Sequence, residues 1–194
     1  MKKIIYIFGE AGTGKKTLIE NILINKENIR EQLGIETDKI TVVRDTIEIF
    51  NSGRFEEENE IEKRRQAILK GISKFIQDEN EILLIKGNIR DLEEHYKSII
   101  KTIENESKEV EKEIYFLEVK DQEQLYERII NEDWFVKELN RNIHRYPKPW
   151  LDISTRHIKN RTYELAEELG YKIKEIDTTD GYTVKKEDYT NKTR

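Results

Sequence analysis

Five short and nearly continuous apolar runs recur along the chain, and longer stretches of mixed polarity separate them. Runs of this length that are rich in Ile, Leu, Val, Tyr and Phe are typical of strands buried on both faces of a sheet. The predicted strands lie at residues 3–8, 40–44, 82–86, 114–119 and 171–176. The chain is therefore expected to build one sheet from five strands.

Between these runs, apolar residues recur at intervals of three and four, which is the period of an amphipathic helix. Helices are predicted from residue 17 onwards and at residues 56–78, 91–106, 121–131 and 154–169. The last of them ends at Gly170, a residue type that commonly closes helices. Buried strands that alternate with helices form a mostly parallel sheet with right-handed crossovers, so the predicted fold class is α/β with three layers.

Two segments do not follow this alternation. Residues 132–153 contain both prolines and both tryptophans of the chain, and we interpret them as a small lid of loops or short helices. Residues 182–194 are polar and aperiodic, which favours a flexible tail. A chain of 194 residues has the size of one compact domain, so we expect a single domain at residues 1–181 that includes the lid.

The composition excludes several classes of protein. The chain has no Cys and hence no disulfide framework, and its net charge of −5 provides no overall attraction to nucleic acid or anionic membranes. No stretch approaches the roughly 20 apolar residues of a membrane helix, which favours a cytoplasmic protein with no membrane partner. Residues 137–161 depart from the acidic average, with seven Lys or Arg residues and two acidic ones, so nucleic acid is a candidate partner of the lid.

The sequence GEAGTGKKT at residues 9–17 follows the first predicted strand and opens the first predicted helix. Its Gly-x4-Gly-Lys spacing is that of a phosphate-binding P-loop, in which glycines let successive backbone N–H groups point at one anion. The helix N-terminus adds positive charge, and the Lys15 side chain reaches the outer phosphates, which gives it a catalytic role. The predicted nucleotide-binding residues are Gly9, Ala11, Gly12, Thr13, Gly14, Lys15, Lys16 and Thr17. The alternative is a glycine-rich turn between strand and helix that binds no ligand.

One position in this loop departs from the usual pattern. The Ser or Thr that normally follows the P-loop Lys and binds Mg²⁺ is replaced by Lys16, and a Thr comes one residue later. An ammonium group cannot be a ligand of a cation that it repels. Either Mg²⁺ is held mainly by substrate phosphates and water, with Thr17 as the remaining side-chain candidate, or catalysis is impaired.

The sequence KKT at residues 15–17 resembles the loop of adenylate-kinase-like enzymes, which have Gly in place of Lys16 and then Thr. The sequence LLIKGNIR at residues 83–90 is similar to the segment of nucleoside-monophosphate kinases in which a strand ends in Asp-Gly and an Arg follows. This resemblance implies a P-loop NTPase fold with five parallel strands in the order 2-3-1-4-5. It also implies that ATP and Mg²⁺ are the cofactors, that Arg90 binds a phosphate of the acceptor, and that Lys86 occupies the place of an acidic residue.

Related kinases of small molecules and of polynucleotide 5′-hydroxyls have an acidic residue near the end of the second strand, and by this resemblance Asp45 is the candidate catalytic base. The alternatives for Asp45 are a cap of a turn or a group that orients Arg44. Arg44 and Arg90 are the predicted acceptor-binding residues. The resemblance also implies that lid arginines, here Arg141 and Arg145, close over the transferring phosphoryl group and belong to the catalytic set.

Three short sequences are also similar to those of thymidylate-kinase-related phage enzymes that phosphorylate hydroxymethyluracil in DNA. They are IKG at residues 85–87, YERI at residues 126–129 and DWF at residues 133–135. In the kinase family, the loop after the fifth strand lies against the nucleotide base. The resemblance therefore implies that Thr178 and Thr179 lie near the base.

These features predict an ATP-dependent phosphotransferase that transfers the γ-phosphate to a nucleotide, a nucleoside or a nucleic-acid-linked acceptor. Two other classes remain open. Because Lys16 and Lys86 replace residues that normally act around Mg²⁺, the chain is alternatively a nucleotide-binding regulatory protein with little or no turnover. Aromatic residues within the basic lid favour, as a third interpretation, a module that binds nucleic acid. The sequence does not specify the acceptor, the base preference or the oligomeric state.

Overall fold

The computed structural model describes residues 2–43, 58–87, 104–131 and 148–187. The strands are β1 (Lys3–Gly9), β2 (Ile40–Val42), β3 (Ile82–Lys86), β4 (Glu111–Glu118), β5 (Lys172–Asp177) and β6 (Thr183–Glu187). The helices are α1 (Lys15–Ile24), α2 (Ile29–Leu33), α3 (Glu58–Gln77), α4 (Gln122–Ile130) and α5 (Lys148–Leu169), and a 3-10 turn (Lys26–Asn28) precedes α2. Strands and helices therefore alternate along most of the described chain, as the hydrophobic pattern predicts.

The strands form one sheet in the order β2-β3-β1-β4-β5-β6. Strands β1 to β5 are parallel, and their order is the one expected from the resemblance. This order, together with the glycine-rich loop between β1 and α1, is that of a P-loop NTPase fold, so the predicted α/β class is confirmed. The sheet has six strands rather than five because β6 pairs antiparallel with β5.

The sixth strand corrects the prediction of a flexible tail from residue 182 onwards. Gly181, with φ 107°, lies in the turn that brings β6 back alongside β5. Val184 and Tyr182 pack against the apolar core, and the Tyr182 hydroxyl accepts a hydrogen bond from Asn21 at 2.9 Å. A strand with so few apolar residues gives no continuous hydrophobic run, which is why the sequence pattern did not reveal it. Residues 188–194 lie outside the described residues.

Helix α5 begins at Lys148, whereas the sequence pattern predicted a start at residue 154. Pro149 is tolerated near the start of a helix because its missing N–H would have no partner within the helix there. Residues 148–153, which were assigned to the lid, are therefore helical. The rest of the predicted lid, residues 132–147, lies outside the described residues.

Strand β4 begins at Glu111, three residues before the predicted start at residue 114. Its extension contains charged residues, and Glu113 is buried between two lysines. The Lys3 and Lys174 ammonium groups lie 3.4 and 3.3 Å from the Glu113 carboxylate. Paired charges allow a strand to continue where the apolar run ends, so the hydrophobic pattern alone placed the start too late.

The predicted helices differ in outcome. Residues 29–33 form the unpredicted α2, whose Ile29 and Leu33 are buried, because five residues are too few to display a helical period. The helix predicted at residues 91–106 lies outside the described residues except for residues 104–106, which are helical. Within the described ranges, no helix combines the length and the apolar character needed to cross a membrane.

The apolar core lies on both faces of the sheet. Tyr6 and Phe8 of β1 pack with residues of α3 and α5 on one face. Ile5 and Ile7 of the same strand pack with residues of α1 and α2 on the other face. Successive residues of β1 therefore contribute to opposite faces, as the two-residue period of a strand requires, and the three-layer arrangement is confirmed.

The parallel strands all end at one edge of the sheet. At this carboxyl edge, β1 ends at Gly9, β3 at Lys86, β4 at Glu118 and β5 at Asp177. In open α/β sheets, ligands bind outside the carboxyl ends of the strands. The glycine-rich loop leaves β1 at this edge, so a ligand-binding site is expected there.

Candidate functional site

The loop between β1 and α1 has a backbone shape that depends on glycine. Gly9, Gly12 and Gly14 have φ values of 142°, 76° and 81°, all in the region that other residues rarely adopt. Helix α1 begins at Lys15, Gly14 provides no side-chain cap, and the first helical hydrogen bond runs from Leu18 N to Gly14 O at 2.8 Å. The amides of residues 15–17 therefore have no carbonyl partner within α1, which is the arrangement that suits an anion.

The loop packs closely against α4 and β4. A Cβ atom at Gly12 would lie 2.8 Å from Ile129 Cγ1 and 3.3 Å from Leu125 Cδ1. A Cβ atom at Gly9 would lie 2.5 Å from the carbonyl oxygen of Leu117, at the end of β4. These distances are shorter than ordinary van der Waals contacts, so the two glycines let the loop approach the fold closely.

The buried carboxylate of Glu10 is hydrogen-bonded both to the loop and to helix α5. Glu10 is 2% exposed, and its side chain accepts hydrogen bonds from Ala11 N at 2.8 Å and from Ser154 Oγ at 2.6 Å. Ser154 lies on α5, the helix that follows the predicted lid. Glu10 thus connects the loop to α5 and satisfies a backbone N–H of the loop itself.

Two threonines fix the other side of the loop. The Thr13 hydroxyl donates to Glu10 O at 2.7 Å, within the loop. The Thr178 hydroxyl, from the connection between β5 and β6, donates to Thr13 O at 3.0 Å. The loop is therefore hydrogen-bonded to two distant parts of the chain, which fix its shape.

The Lys15 side chain is curled back over the start of the loop. Its ammonium group donates to Gly9 O at 2.8 Å and to Glu10 O at 2.6 Å. This position keeps a positive charge beside the amides of the first turn of α1. An outer phosphate bound at those amides would compete with the two carbonyl groups for the Lys15 ammonium.

Lys16 and Thr17 are both exposed in the first turn of α1. The Lys16 ammonium lies 3.8 Å from Glu20 Oε1, with both side chains more than half exposed. Lys16 occupies the sequence position at which a P-loop normally has a Ser or Thr whose hydroxyl binds Mg²⁺. Thr17 is the hydroxyl that remains beside it, and its role as a metal ligand stays a prediction.

The carboxylates of the described residues do not fit a protein-held Mg²⁺ at this edge. Both carboxylate oxygens of Glu10 accept hydrogen bonds, Glu118 pairs with Lys159 at 2.9 Å, and Asp177 pairs with Lys120 at 2.5 Å. No cluster of three or more potential His, Cys, Asp or Glu ligands occurs in the described ranges. In this arrangement these three carboxylates are engaged with other groups of the protein and are not free to hold Mg²⁺ at the loop.

Lys86 is a further lysine at the carboxyl edge of the sheet. It is the last residue of β3, it is paired in register with Ile7 of β1, and the N–H of Gly87 donates to Ile7 O at 3.1 Å. Strand β3 therefore ends directly beside the strand that leads into the loop. A lysine, rather than an acidic residue, occupies this place in the fold.

The turn after β5 is held by charged groups that sequence reasoning did not select. One guanidinium nitrogen of Arg128 donates to Thr178 O and to Thr179 O, each at 2.8 Å. Burial tends to raise the pKa of Asp177, but hydrogen bonds from Lys120 and Thr179 outweigh burial and lower this pKa to about 2. The turn that the resemblance places near the nucleotide base is thus rigidly attached to α4 and β5.

The predicted site residues fall into two groups. Residues 9–17 are continuous from the end of β1 through the loop into the first turn of α1, and the structure brings Thr178 into contact with Thr13 of this segment. The predicted acceptor-binding and catalytic residues Arg44, Asp45, Arg90, Arg141 and Arg145 lie outside the described residues, so their roles stay predictions. Of the basic segment at residues 137–161, residues 137–147 lie outside the described residues, whereas residues 148–161 belong to α5, where Arg156, Lys159 and Arg161 pair with Asp152, Glu118 and Glu164.

Sequence reasoning missed three residues that shape the site: Glu10, Ser154 and Arg128. Glu10 lies inside the recognised motif, and an acidic residue directly after the first glycine of the loop was the available signal. Arg128 lies in the YERI sequence, but nothing local indicated that it bonds to residues some 50 positions later in the chain. Ser154 carries no sequence signal of its contact with Glu10.

The sequence matches no protein-family model and no curated protein. Two solved structures resemble parts of the chain. The crystal structure of APE1195 is 14% identical, the match covers 74% of this chain and 74% of that chain, and the TM-score is 0.43. Thymidylate kinase from Ehrlichia chaffeensis is 16% identical, with coverage of 75% and 91% and a TM-score of 0.38. TM-scores this low carry no argument about function, so the fold assignment rests on the sheet order and the loop.

Proposed function

We propose that this chain is an ATP-dependent phosphotransferase of the P-loop kinase type. The observation that supports the proposal is the loop at residues 9–17, which opens α1 at the carboxyl edge of a parallel sheet. Its three glycines adopt positive φ, and the amides of the first turn of α1 lack helical partners. Positioning and charge neutralisation account for most of the catalysis of phosphoryl transfer, and a loop held in this shape would supply both.

The nucleotide would bind with its outer phosphates on the amides of residues 12–17. Lys15 would exchange its two loop carbonyls for phosphate oxygens, and the base would lie against the turn at residues 177–181, which Arg128 holds in place. Mg²⁺, carried in by the phosphates and water, would supply further positive charge. In this proposal the protein binds and orients the phosphates, and it keeps the ammonium of Lys15 beside the bond that breaks.

The acceptor would be a nucleotide, a nucleoside or a nucleic-acid-linked hydroxyl or phosphate. Arg44 and Arg90 would bind it, Asp45 would accept a proton from an acceptor hydroxyl, and the lid residues Arg141 and Arg145 would approach the transferring group. These five assignments derive from the sequence resemblance. They complete the proposal on the acceptor side of the loop.

The test is phosphate transfer from labelled ATP to a panel of nucleotides, nucleosides and 5′-hydroxyl oligonucleotides. We expect the wild-type chain to label at least one acceptor and Lys15→Ala to abolish the labelling while circular dichroism shows an unchanged fold. Lys39→Ala is a matched control, because the Lys39 side chain is 56% exposed and lies at the opposite edge of the sheet. A wild-type chain inert toward the whole panel, or a fully active Lys15→Ala, would contradict the proposal.

A second candidate function is a nucleotide-binding regulatory protein with little turnover. Lys16 in the first turn of α1 and Lys86 at the end of β3 favour it, because neither can bind Mg²⁺. Calorimetry combined with product analysis separates the two candidates. Tight ATP binding with no product from any acceptor over several hours would support the regulatory protein, whereas product formation would support the kinase.

A further inference from the structure

We propose that Lys16 provides the counter-charge that Mg²⁺ normally provides to a bound nucleotide, so that ATP and ADP bind to the loop with little dependence on Mg²⁺. The inference rests on the proposed function, because it concerns how the same loop neutralises the phosphates. It adds which side chain neutralises the phosphates and whether the nucleotide needs Mg²⁺ in order to bind. The loop would therefore bind the nucleotide whether or not Mg²⁺ accompanies it.

The first argument is the position of Lys16. It is the second residue of α1, so its backbone lies among the amides that face the proposed phosphate position. The first turn of α1 contains no acidic residue that would cancel its charge there. The four-carbon stem of a lysine is flexible, so the ammonium is able to turn from the helix surface toward a phosphate at the helix start.

The second argument is the low cost of that movement. Lys16 and Glu20 are 3.8 Å apart, with side chains 56% and 58% exposed. Exposed ion pairs one helical turn apart contribute little to stability because water and salt screen them. A phosphate held by the loop amides carries more charge than one carboxylate, so it competes effectively for the Lys16 ammonium.

The third argument is the balance of charges around the loop. The carboxylates at this edge within the described residues, Glu10, Glu118 and Asp177, already accept hydrogen bonds or pair with lysines. A divalent cation bound at the loop would meet repulsion from Lys16 without gaining one of these three carboxylates, whereas the phosphates of a nucleotide would be attracted to Lys16.

The experiment is isothermal titration calorimetry of the full 194-residue chain with ADP, ATP and pyrophosphate, in excess Mg²⁺ and in excess EDTA at matched ionic strength. For the wild type we expect the two Kd values of each ligand to agree within about threefold, a difference well below one tenfold step of affinity. Lys16→Thr restores the usual hydroxyl. We expect it to lose about tenfold in affinity without Mg²⁺, the typical effect of one charge-assisted contact, and to regain much of that affinity with Mg²⁺.

Two further variants separate the local effect from net charge. Lys16→Arg keeps the charge and should keep the binding in EDTA. Lys39→Thr removes one charge from a side chain that is also 56% exposed, at the opposite edge of the sheet, and should leave both Kd values unchanged. A loss of affinity in Lys39→Thr equal to that in Lys16→Thr would overturn the inference, because it would show an effect of net charge alone.

The outcomes also separate this inference from the proposed function. Wild-type affinity that rises about tenfold or more with Mg²⁺, or Lys16→Thr that binds as tightly as the wild type in EDTA, overturns the inference and leaves the proposed function standing. Failure of every ligand to bind under both conditions overturns both. Circular dichroism of each variant confirms that the loss of affinity is not a loss of fold.

Discussion

Glu10 is the residue that most clearly links the loop to the rest of the molecule. Its carboxylate is buried and has two hydrogen-bond partners, the N–H of Ala11 and the hydroxyl of Ser154. A buried carboxylate that loses a donor retains the cost of its desolvation, which exceeds the gain from the bond itself. The shape of the loop therefore depends on a serine 144 residues away in the sequence.

We predict that Ser154→Ala lowers the free energy of unfolding by about 1–3 kcal/mol, because it leaves one oxygen of the buried Glu10 carboxylate without that donor. The adjacent Ile153 is the control, since it lies on the same helix and is 63% exposed. Ile153→Ala should change the free energy of unfolding by no more than about 0.5 kcal/mol. Urea denaturation measures both, and a smaller loss in Ser154→Ala than in Ile153→Ala would refute the prediction.

The ionisation of Asp177 makes the stability of the carboxyl edge of the sheet depend on pH. Its pKa in the folded chain, about 2, lies below the ordinary value of 3.8, so the ionised form stabilises the fold. This contribution is present above about pH 4 and is lost as the pH falls through the folded-state pKa. The paired carboxylate thus makes the turn that holds Thr178 and Thr179 sensitive to acid.

We predict that Asp177→Asn lowers the free energy of unfolding at neutral pH by about 1 kcal/mol, after allowance for solvent screening of its exposed partner Lys120. The difference from the wild type should shrink as the pH falls from about 4 towards about 2, where the wild-type carboxyl group also becomes protonated. Urea denaturation of the wild type and the variant across this pH range measures the difference in the free energy of unfolding. A difference that stays constant with pH would refute the ionic origin, and Glu164→Gln, in an exposed pair with Arg161, serves as the control.

At the scale of elements, the start of α1 depends on one left-handed residue. Gly14 is the N-cap of α1 with φ 81°, and among the described residues no atom lies within 4 Å of the place where its Cβ would be. The space would accept a side chain, but the backbone conformation would not. The requirement for glycine here is therefore conformational rather than steric.

We predict that Gly14→Ala lowers the free energy of unfolding by about 1–2 kcal/mol, the usual cost of a left-handed conformation for a residue with a Cβ atom. Gly14→Asn should cost less, because Asn adopts this conformation more readily and its side chain can hydrogen-bond locally. Thermal or urea unfolding compares the two variants directly. A loss for Asn at least as large as that for Ala would contradict the conformational explanation.

Strands buried on both faces could be predicted from the sequence, whereas strands that depend on strand pairing or on ion pairs could not. The apolar runs located β1 and β3 because a central parallel strand must be apolar throughout. The hydrophobic pattern missed β6 and the first residues of β4, which depend on an antiparallel neighbour and on the pairing of Glu113 with lysines. The start of α5 was placed too late because Pro147 and Pro149 suggested a loop, although a proline such as Pro149 is compatible with the first turn of a helix.

The candidate site divides in the same way. The loop at residues 9–17 was predictable because its chemistry follows a local spacing of glycines and lysine. Its supports were not, because Glu10 meets Ser154 and Thr13 meets Thr178 only after the chain has folded. Contacts between residues so far apart leave no periodic trace in one sequence, so sequence reasoning finds the loop but not what holds it.

At the scale of the whole molecule, strand β1 lies inside the sheet, between β3 and β4. Strand β1 is hydrogen-bonded on both sides, to β3 and to β4, and its residues 4–8 are at most 1% exposed. Among the described residues, strands β2 and β6 lie at the two ends of the sheet and have one neighbour each. The loop therefore leaves the most deeply buried strand, and its position is tied to the stability of the entire fold.

We predict that the amides of β1 exchange with deuterium only through global unfolding, at a free energy of about 5–15 kcal/mol. The outer strand β6 should exchange through local opening at a clearly lower free energy, because it has one neighbour and packs through few apolar side chains. Native-state hydrogen exchange monitored by NMR measures both strands in one sample. Protection of β6 equal to that of β1 would contradict the predicted gradient.

The two ends of the sheet also bear on how copies of the chain behave toward one another. An outer strand with unpaired amides and carbonyls is a template on which another chain can add a strand. Here β2 has only three residues, and β6 contains Lys185 and Lys186, of which the Lys185 side chain is 45% exposed. Within the described part of the chain, a short border on one side and an exposed cation on the other therefore discourage the addition of a further strand.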